Sequence, residues 1–244
     1  MIDKILYVNL NRRPDRNEWF LKNMENAGGP MEIVKVFTAH DWKDYDSVSD
    51  IIRAMQNDGF ALNLARGLPP SHRFGSIGNI WSHCCCLRQI INSGDHVLVM
   101  QDDVRFDIPY DELLIMLQPV WQRVKGFHVI QLEWVEVVGE WAREADLQPN
   151  LCYPFENDCR WSHGIHGLGD KATIYSPTGA LAMLGLLQNY ISLPVSQELA
   201  AYLHFNNHKS AHTSIPVHHP ESIIKWASGD VWKSDILEGN NAVA

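Results

Sequence analysis

Four consecutive apolar residues, Val97-Leu98-Val99-Met100, run directly into the polar triplet Gln101-Asp102-Asp103. An unbroken run of this length, without the alternation of a half-exposed strand, predicts a strand covered on both faces. A sheet whose strands need cover on both faces is an α/β sheet with helices packed above and below. Such sheets bind ligands beyond the carboxyl ends of their strands, so the Gln101-Asp102-Asp103 junction falls where a site belongs.

The flanking sequence alternates accordingly. Lys4 to Leu10 predicts a buried first strand. Pro14 suits the first turn of a helix carrying Trp19, Phe20 and Met24, and Gly28-Gly29-Pro30 ends it. Met31 to Phe37 predicts a second strand, and Ser47 to Met55 a helix whose Val48, Ile51, Ile52 and Met55 share one face. Asp58 to Gly78, rich in Gly and Pro, reads as a loop over the site. Ile77, Ile80, Trp81, Cys84, Leu87, Ile90 and Ile91 then follow helical spacing up to a stop at Gly94. Helices are expected at Asp111 to Val120, Thr178 to Leu187 and Gln197 to Phe205, and strands at Phe127 to Leu132 and Ser214 to Val217. Gly139 to Gly169 has no regular pattern and reads as a functional loop. The tail from Ser228 is polar. The expected architecture is α/β, a mainly parallel Rossmann-type sheet flanked by helices, with residues 1–244 forming a single domain.

Charge narrows the partners. Lys+Arg 20 against Asp+Glu 29 gives a net charge of -9, which disfavours nucleic acid and anionic membranes unless basic residues gather locally. No apolar run approaches the roughly 18 to 20 residues of a transmembrane segment. The N-terminus lacks the features of a signal peptide, so the expected location is cytoplasmic. Of the five cysteines, Cys84, Cys85 and Cys86 are adjacent and Cys152 and Cys159 isolated, a pattern of reduced, buried thiols rather than disulfides. No Cys-x-x-Cys pair seeds a zinc site.

Adjacent carboxylates at the end of a buried strand raise each other's pKa unless positive charge is near, and a hard divalent cation supplies it. Successive strand residues point to opposite faces, so Asp102 and Asp103 converge only if the chain turns there; otherwise they take different partners. From spacing alone, the pair equally suits a turn before Pro109. His163, His166, His218 and His219 offer a competing zinc or iron centre, and Trp134, Trp141 and Trp161 could stack on a sugar ring or pack as core.

Four blocks together carry a resemblance. Tyr7-Val8-Asn9-Leu10-Asn11-Arg12-Arg13-Pro14-Asp15-Arg16, then Gly75-Ser76-Ile77-Gly78 with Trp81-Ser82-His83, then Leu98 to Val104, then Trp232-Lys233-Ser234-Asp235-Ile236 occur in order along most of the chain. They resemble glycosyltransferase family 25, the lipooligosaccharide-type and procollagen-type galactosyltransferases. The resemblance implies a GT-A fold and an inverting transfer of a hexose, galactose first among the candidates, from a UDP-sugar to a saccharide or glycan acceptor. It also implies a Mn²⁺ or Mg²⁺ cofactor, with Asp103 as metal ligand and Asp102 on ribose or metal. Asn9, Leu10, Arg12, Arg13, Arg16, Ser82 and His83 would bind the nucleotide-sugar, the arginines forming a local basic patch. Two departures stand out: Gln101 replaces the family's Glu, and Leu193-Pro194-Val195-Ser196 carries serine where the family commonly has an acid. Inversion needs a carboxylate to take the acceptor's proton, and Glu198 or Asp170 would have to serve. The alternatives are a nucleotide-sugar-binding protein without catalysis, and a metal hydrolase or oxygenase built on the histidine clusters.

Overall fold

The structure is a computed structural model that describes residues 2–61, 74–106, 108–123, 129–132, 152–154, 171–190, 210–213 and 224–226. The first strand, β1 (Lys4–Asn9), leads into helix α1 (Pro14–Asn26), then β2 (Val34–Thr38), α2 (Val48–Asn57), α3 (Phe74–Ser93) and β3 (Val97–Gln101). There follow β4 (Val104–Phe106), α4 (Tyr110–Arg123), β5 (Val129–Gln131), β6 (Cys152–Pro154), β7 (Ala172–Tyr175), α5 (Pro177–Tyr190), β8 (Ser210–Thr213) and β9 (Ile224–Trp226). Among the described residues the strands form a seven-stranded sheet in the order β2-β1-β3-β7-β5-β8-β6, with β4 and β9 paired separately.

The α/β class expected from the sequence is the class observed. β1 pairs in parallel with β2 on one side and β3 on the other. β7 enters antiparallel between β3 and β5, and β6 runs antiparallel to β8. The sheet is therefore mixed, with its parallel character concentrated in the β2-β1-β3 portion that carries the acidic junction.

The apolar run at 97–100 explains why this sheet has two cores. Val97 and Val99 face one core, with Leu6 of β1, the α2 residues Ile51 and Met55, much of α3, and Ala180, Met183 and Leu187 of α5. Leu98 and Met100 face the other, with Ile5 and Tyr7 of β1, Phe20 and Met24 of α1, and Leu113 and Leu117 of α4. All four side chains of the run are at most 1% exposed. Each contributes about 1.5–3 kcal/mol by burial, which fixes β3 at the centre.

Local signals set the helix ends. Pro14 opens α1, and Ser47 caps α2 by accepting from the Asp50 amide. Gly94, at φ 74°, ends α3 in the left-handed conformation that glycine adopts without strain. Two expectations shift. Residues Met31–Ile33 form a turn of 3-10 helix after Pro30, so the second strand starts only at Val34. The loop expected through Gly78 instead gives way to α3 at Phe74.

The reason α3 can begin so early is a close approach. A Cβ placed on Gly78 would lie 2.6 Å from the carbonyl oxygen of His40, so only glycine lets α3 meet the chain that leaves β2. Cys84, Cys85 and Cys86 on this helix are free and buried, in line with the reduced-thiol reading. The expected helix at Gln197 to Phe205 and strand at Ser214 to Val217 lie wholly outside the described residues. Among the described residues no helix is long and apolar enough to cross a membrane.

Gly78→Ala should destabilise the protein. Helix propensity favours alanine by about 1 kcal/mol, but overlap with rigid backbone costs about 1–3 kcal/mol or more, and the second effect wins. A methyl group added at Gly185 of α5 would meet nothing within 4 Å, so Gly185→Ala should be neutral or stabilising by up to about 1 kcal/mol. Urea unfolding of the two variants checks this; equal midpoints would contradict the packing described.

Candidate functional site

Because β1 and β3 are parallel neighbours, with Val8 opposite Gln101, their carboxyl ends lie side by side. The Asp102 amide continues the pairing by donating to the Val8 carbonyl at 3.2 Å. Asn9, the last residue of β1, then donates from Nδ2 to Asp102 Oδ2 at 2.7 Å and to the Arg13 carbonyl at 3.2 Å. One side-chain amide thus joins the end of β1, the start of α1 and the end of β3. Arg16, in the first turn of α1, donates from Nη1 to Asp102 Oδ1 at 3.3 Å.

All three groups are buried, at 6% exposure for Asn9, 5% for Arg16 and 6% for Asp102. Burial disfavours the ionised carboxylate and pushes Asp102 up to about 6, with the neighbouring Asp103 acting in the same sense. The Arg16 guanidinium and the Asn9 hydrogen bond oppose the shift without cancelling it.

Asp103 turns away to a different partner. Lys171, immediately before β7, is brought alongside when the Gln101 amide donates to its carbonyl at 2.8 Å, and its Nζ pairs with Asp103 Oδ2. The other oxygen, Oδ1, is buried and has no hydrogen-bond partner among the described residues. The two acids therefore do not converge on one point. Asp102 has both oxygens engaged by protein donors, whereas Asp103 keeps one oxygen that suits a hard divalent cation.

The other site residues expected from the sequence divide into three groups. Arg12 pairs through Nε with Asp41 Oδ2 at 2.5 Å, and Arg13 through Nη2 with Asp15 Oδ2 at 2.8 Å. With Arg16 on Asp102, each expected member of the basic patch faces a carboxylate, so the segment carries compensated pairs rather than surplus positive charge. Leu10 lies in the turn, where its carbonyl accepts from the Arg13 amide at 2.8 Å.

Ser82 and His83 are not brought to the acid pair. The Ser82 hydroxyl donates to the Gly78 carbonyl at 2.7 Å and accepts from the His40 amide at 2.9 Å, tying α3 to the chain after β2. His83 is 4% exposed, with Nε2 at 2.9 Å from the Tyr175 hydroxyl. Tyr175 is paired with Val97, at the opposite end of β3 from Asp102, a separation of about 16 Å over the five residue steps between them. His83 is thus a core histidine satisfied by a tyrosine. Glu198, Asp170, the four histidines of the competing centre, Trp134, Trp141, Trp161 and the block at Trp232 to Ile236 lie outside the described residues.

Sequence reasoning misses Lys171 and Asp41. Lys171 directly precedes the apolar run Ala172-Thr173-Ile174-Tyr175, so its place at a strand end is an available signal. Asp41 has no such signal, since its pairing with Arg12 depends on how β1 and β2 align.

No family model and no curated protein matches the chain. Among solved structures, it is similar to that of the galactosyltransferase LgtC in complex with donor and acceptor sugar analogs, with 11% identity, a TM-score of 0.45, and coverage of 98% of this chain and 95% of that one. That similarity is too low for the neighbour's activity to pass to this chain.

The Asp102 environment sets a pH dependence. Its folded pKa of about 6 lies above the ordinary 3.8, so between these values the unfolded chain has released a proton that the folded chain keeps. Stability from this group is therefore greatest below about pH 4, falls through pH 4 to 6 by up to about 3 kcal/mol, and is flat above. In Asp102→Asn that fall should vanish, so the variant gains on wild type as pH rises through the window. Urea unfolding at pH 4 to 7 with chelator present measures this, and parallel curves for the two proteins would refute it.

Proposed function

We propose that this chain is a glycosyltransferase, similar to family 25, that moves a hexose from a UDP-sugar to a saccharide or glycan acceptor with inversion. The observation that carries the reading is the meeting of two motif blocks some ninety positions apart, through Asn9 and Arg16 on Asp102. Those residue types recur in the resembled family's blocks, and here they share one hydrogen-bonded cluster at the sheet edge where α/β folds bind ligands.

In this reading the buried cluster is a fixed platform. Asn9 and Arg16 hold the Asp102 carboxylate in one orientation, ready to accept from a ribose hydroxyl, and Asp103 beside it faces the diphosphate. A Mn²⁺ or Mg²⁺ ion held through Asp103 Oδ1 would neutralise charge on the departing diphosphate. Lys171 already places an ammonium on the same carboxylate, adding positive charge where the phosphates would lie. Glu198 and Asp170 remain the proposed groups for taking the acceptor's proton. Galactose is the proposed sugar, residues 1–244 the proposed single domain, and the cytoplasm the proposed location.

A second reading is favoured by the two departures in the sequence. With Gln101 and Ser196 where the resembled family has acids, the chain would bind nucleotide-sugars without transferring them.

UDP with Mn²⁺ should raise the melting temperature, with about 2.7 kcal/mol of stabilisation expected at a ligand concentration a hundred times Kd. Slow Mn²⁺-dependent release of free sugar from UDP-galactose should follow, reduced on the order of a hundredfold in Asp103→Ala. Stabilisation without sugar release selects the binding reading. No stabilisation by any nucleotide and divalent ion overturns both.

A further inference from the structure

A second cluster of chemistry-bearing side chains shares no residue with the acid pair. His40 stands two residues beyond β2, Asp58 caps the carboxyl end of α2, and Cys85 lies in the middle of α3. One ligand atom from each falls within 4.8 Å of the others. We propose that His40, Asp58 and Cys85 form a binding site for a zinc-like divalent transition-metal ion, sharing no ligand with the acid pair.

Two of the three ligand separations match that ion. A tetrahedral zinc with bonds of about 2.3 Å to sulfur and about 2.0–2.1 Å to nitrogen and oxygen separates sulfur from each other ligand by about 3.5 Å. Cys85 Sγ lies 3.6 Å from His40 Nε2 and 3.4 Å from Asp58 Oδ2. Two edges of the tetrahedron thus have the required length before any ion enters. The donor set of one thiolate, one imidazole and one carboxylate suits zinc better than magnesium or calcium, which prefer oxygen alone.

The surroundings orient the ligands as metal sites require. The His40 ring stacks on Trp81 with centroids 3.6 Å apart and planes 6° from parallel, which fixes the direction of Nε2. Trp81 Nε1 donates to Asp58 Oδ2 at 2.9 Å, and Arg88 donates to both Asp58 oxygens at 2.9 and 3.0 Å. Arg88 also lies 3.9 Å from Cys85 Sγ, but burial and the Asp58 carboxylate outweigh its charge and push the thiol up to about 12, so the proton stays until an ion displaces it. Cys85 itself is 7% exposed, while the Asp58 side chain is 35% exposed, leaving a solvent-facing side for a fourth ligand. On binding, the ion replaces the thiol proton, which leaves to solvent; with Asp58 already paired to Arg88 the cluster gains one net positive charge, which an anionic fourth ligand such as hydroxide would balance.

The alternative is a closed network in which the Cys85 thiol donates to Asp58 and no ion enters. Cobalt(II) titration of chelator-treated full-length protein separates the two. One equivalent of Co²⁺ should produce a thiolate-to-cobalt charge-transfer band that Zn²⁺ displaces. The band should vanish in Cys85→Ser and persist in the double variant Cys152→Ser, Cys159→Ser. His40→Gln should weaken Zn²⁺ binding by at least about tenfold. If Cys85→Ser does not fold, X-ray absorption on the zinc-bound double variant decides, with one sulfur expected near 2.3 Å. Absence of the band in wild type, its survival in Cys85→Ser, or a zinc shell of nitrogen and oxygen alone overturns the proposal.

Discussion

A carboxylate with 6% exposure at the end of a central strand is the constraint around which this sheet edge is arranged. Leaving Asp102 unpaired there would be costly, since a buried charge without partners is among the least favourable states a protein can hold. Asn9 and Arg16 offset part of that cost, but only if β1 and β3 are adjacent, parallel and in the register that sets Val8 opposite Gln101. Arg16 reaches the acid only if α1 starts at once after β1, which Pro14 and the Asn9 bond to the Arg13 carbonyl enforce. Strand order, helix entry and buried charge are therefore one linked arrangement. The remaining cost of burial is visible in the Asp102 pKa, which stays high despite both partners.

The elements legible in the sequence are those with strong apolar patterns. The run at 97–100 announces a doubly covered strand, and the spacing of Ile77 to Ile91 announces α3, because burial on one or both faces leaves a period in the chain. Three-residue strands such as β4 and β9 are shorter than any period can reveal. The helix start at Phe74-Gly75-Ser76 reads as loop because glycine and serine are turn-forming by default; the approach of α3 to the His40 carbonyl, which calls for glycine, is a tertiary fact. The 3-10 turn after Pro30 is hidden in the same way inside a β-branched stretch.

At the site, sequence nominates residues but not their partners. Asn9, Arg16, Asp102 and Asp103 stand out as a group, and the structure brings them to one edge of the sheet. His83 joins them in sequence because a motif places it next to Ser82, yet consecutive helix positions point about 100° apart. Ser82 faces the chain after β2, and His83 faces Tyr175 on the sheet. The arginines read as a basic patch because Asp41 and Asp102 are distant in sequence and only folding pairs them with Arg12 and Arg16.

The divergence of Asp102 and Asp103 has a further consequence for how such an edge works. Had both side chains met at one point, their mutual repulsion would have raised one of the two pKa values further unless a cation stood between them. Instead Arg16 answers the first acid and Lys171 the second, so the edge is electrically balanced by the protein alone. In the proposed reading, a ligand's phosphates would approach an edge whose acids are already paired with cations rather than a bare acidic pocket. The uncommitted oxygen, Asp103 Oδ1, leaves room for one ion without making the fold depend on it. In the proposed reading, Asp102 is held by the protein's own donors while Asp103 keeps one oxygen for an ion.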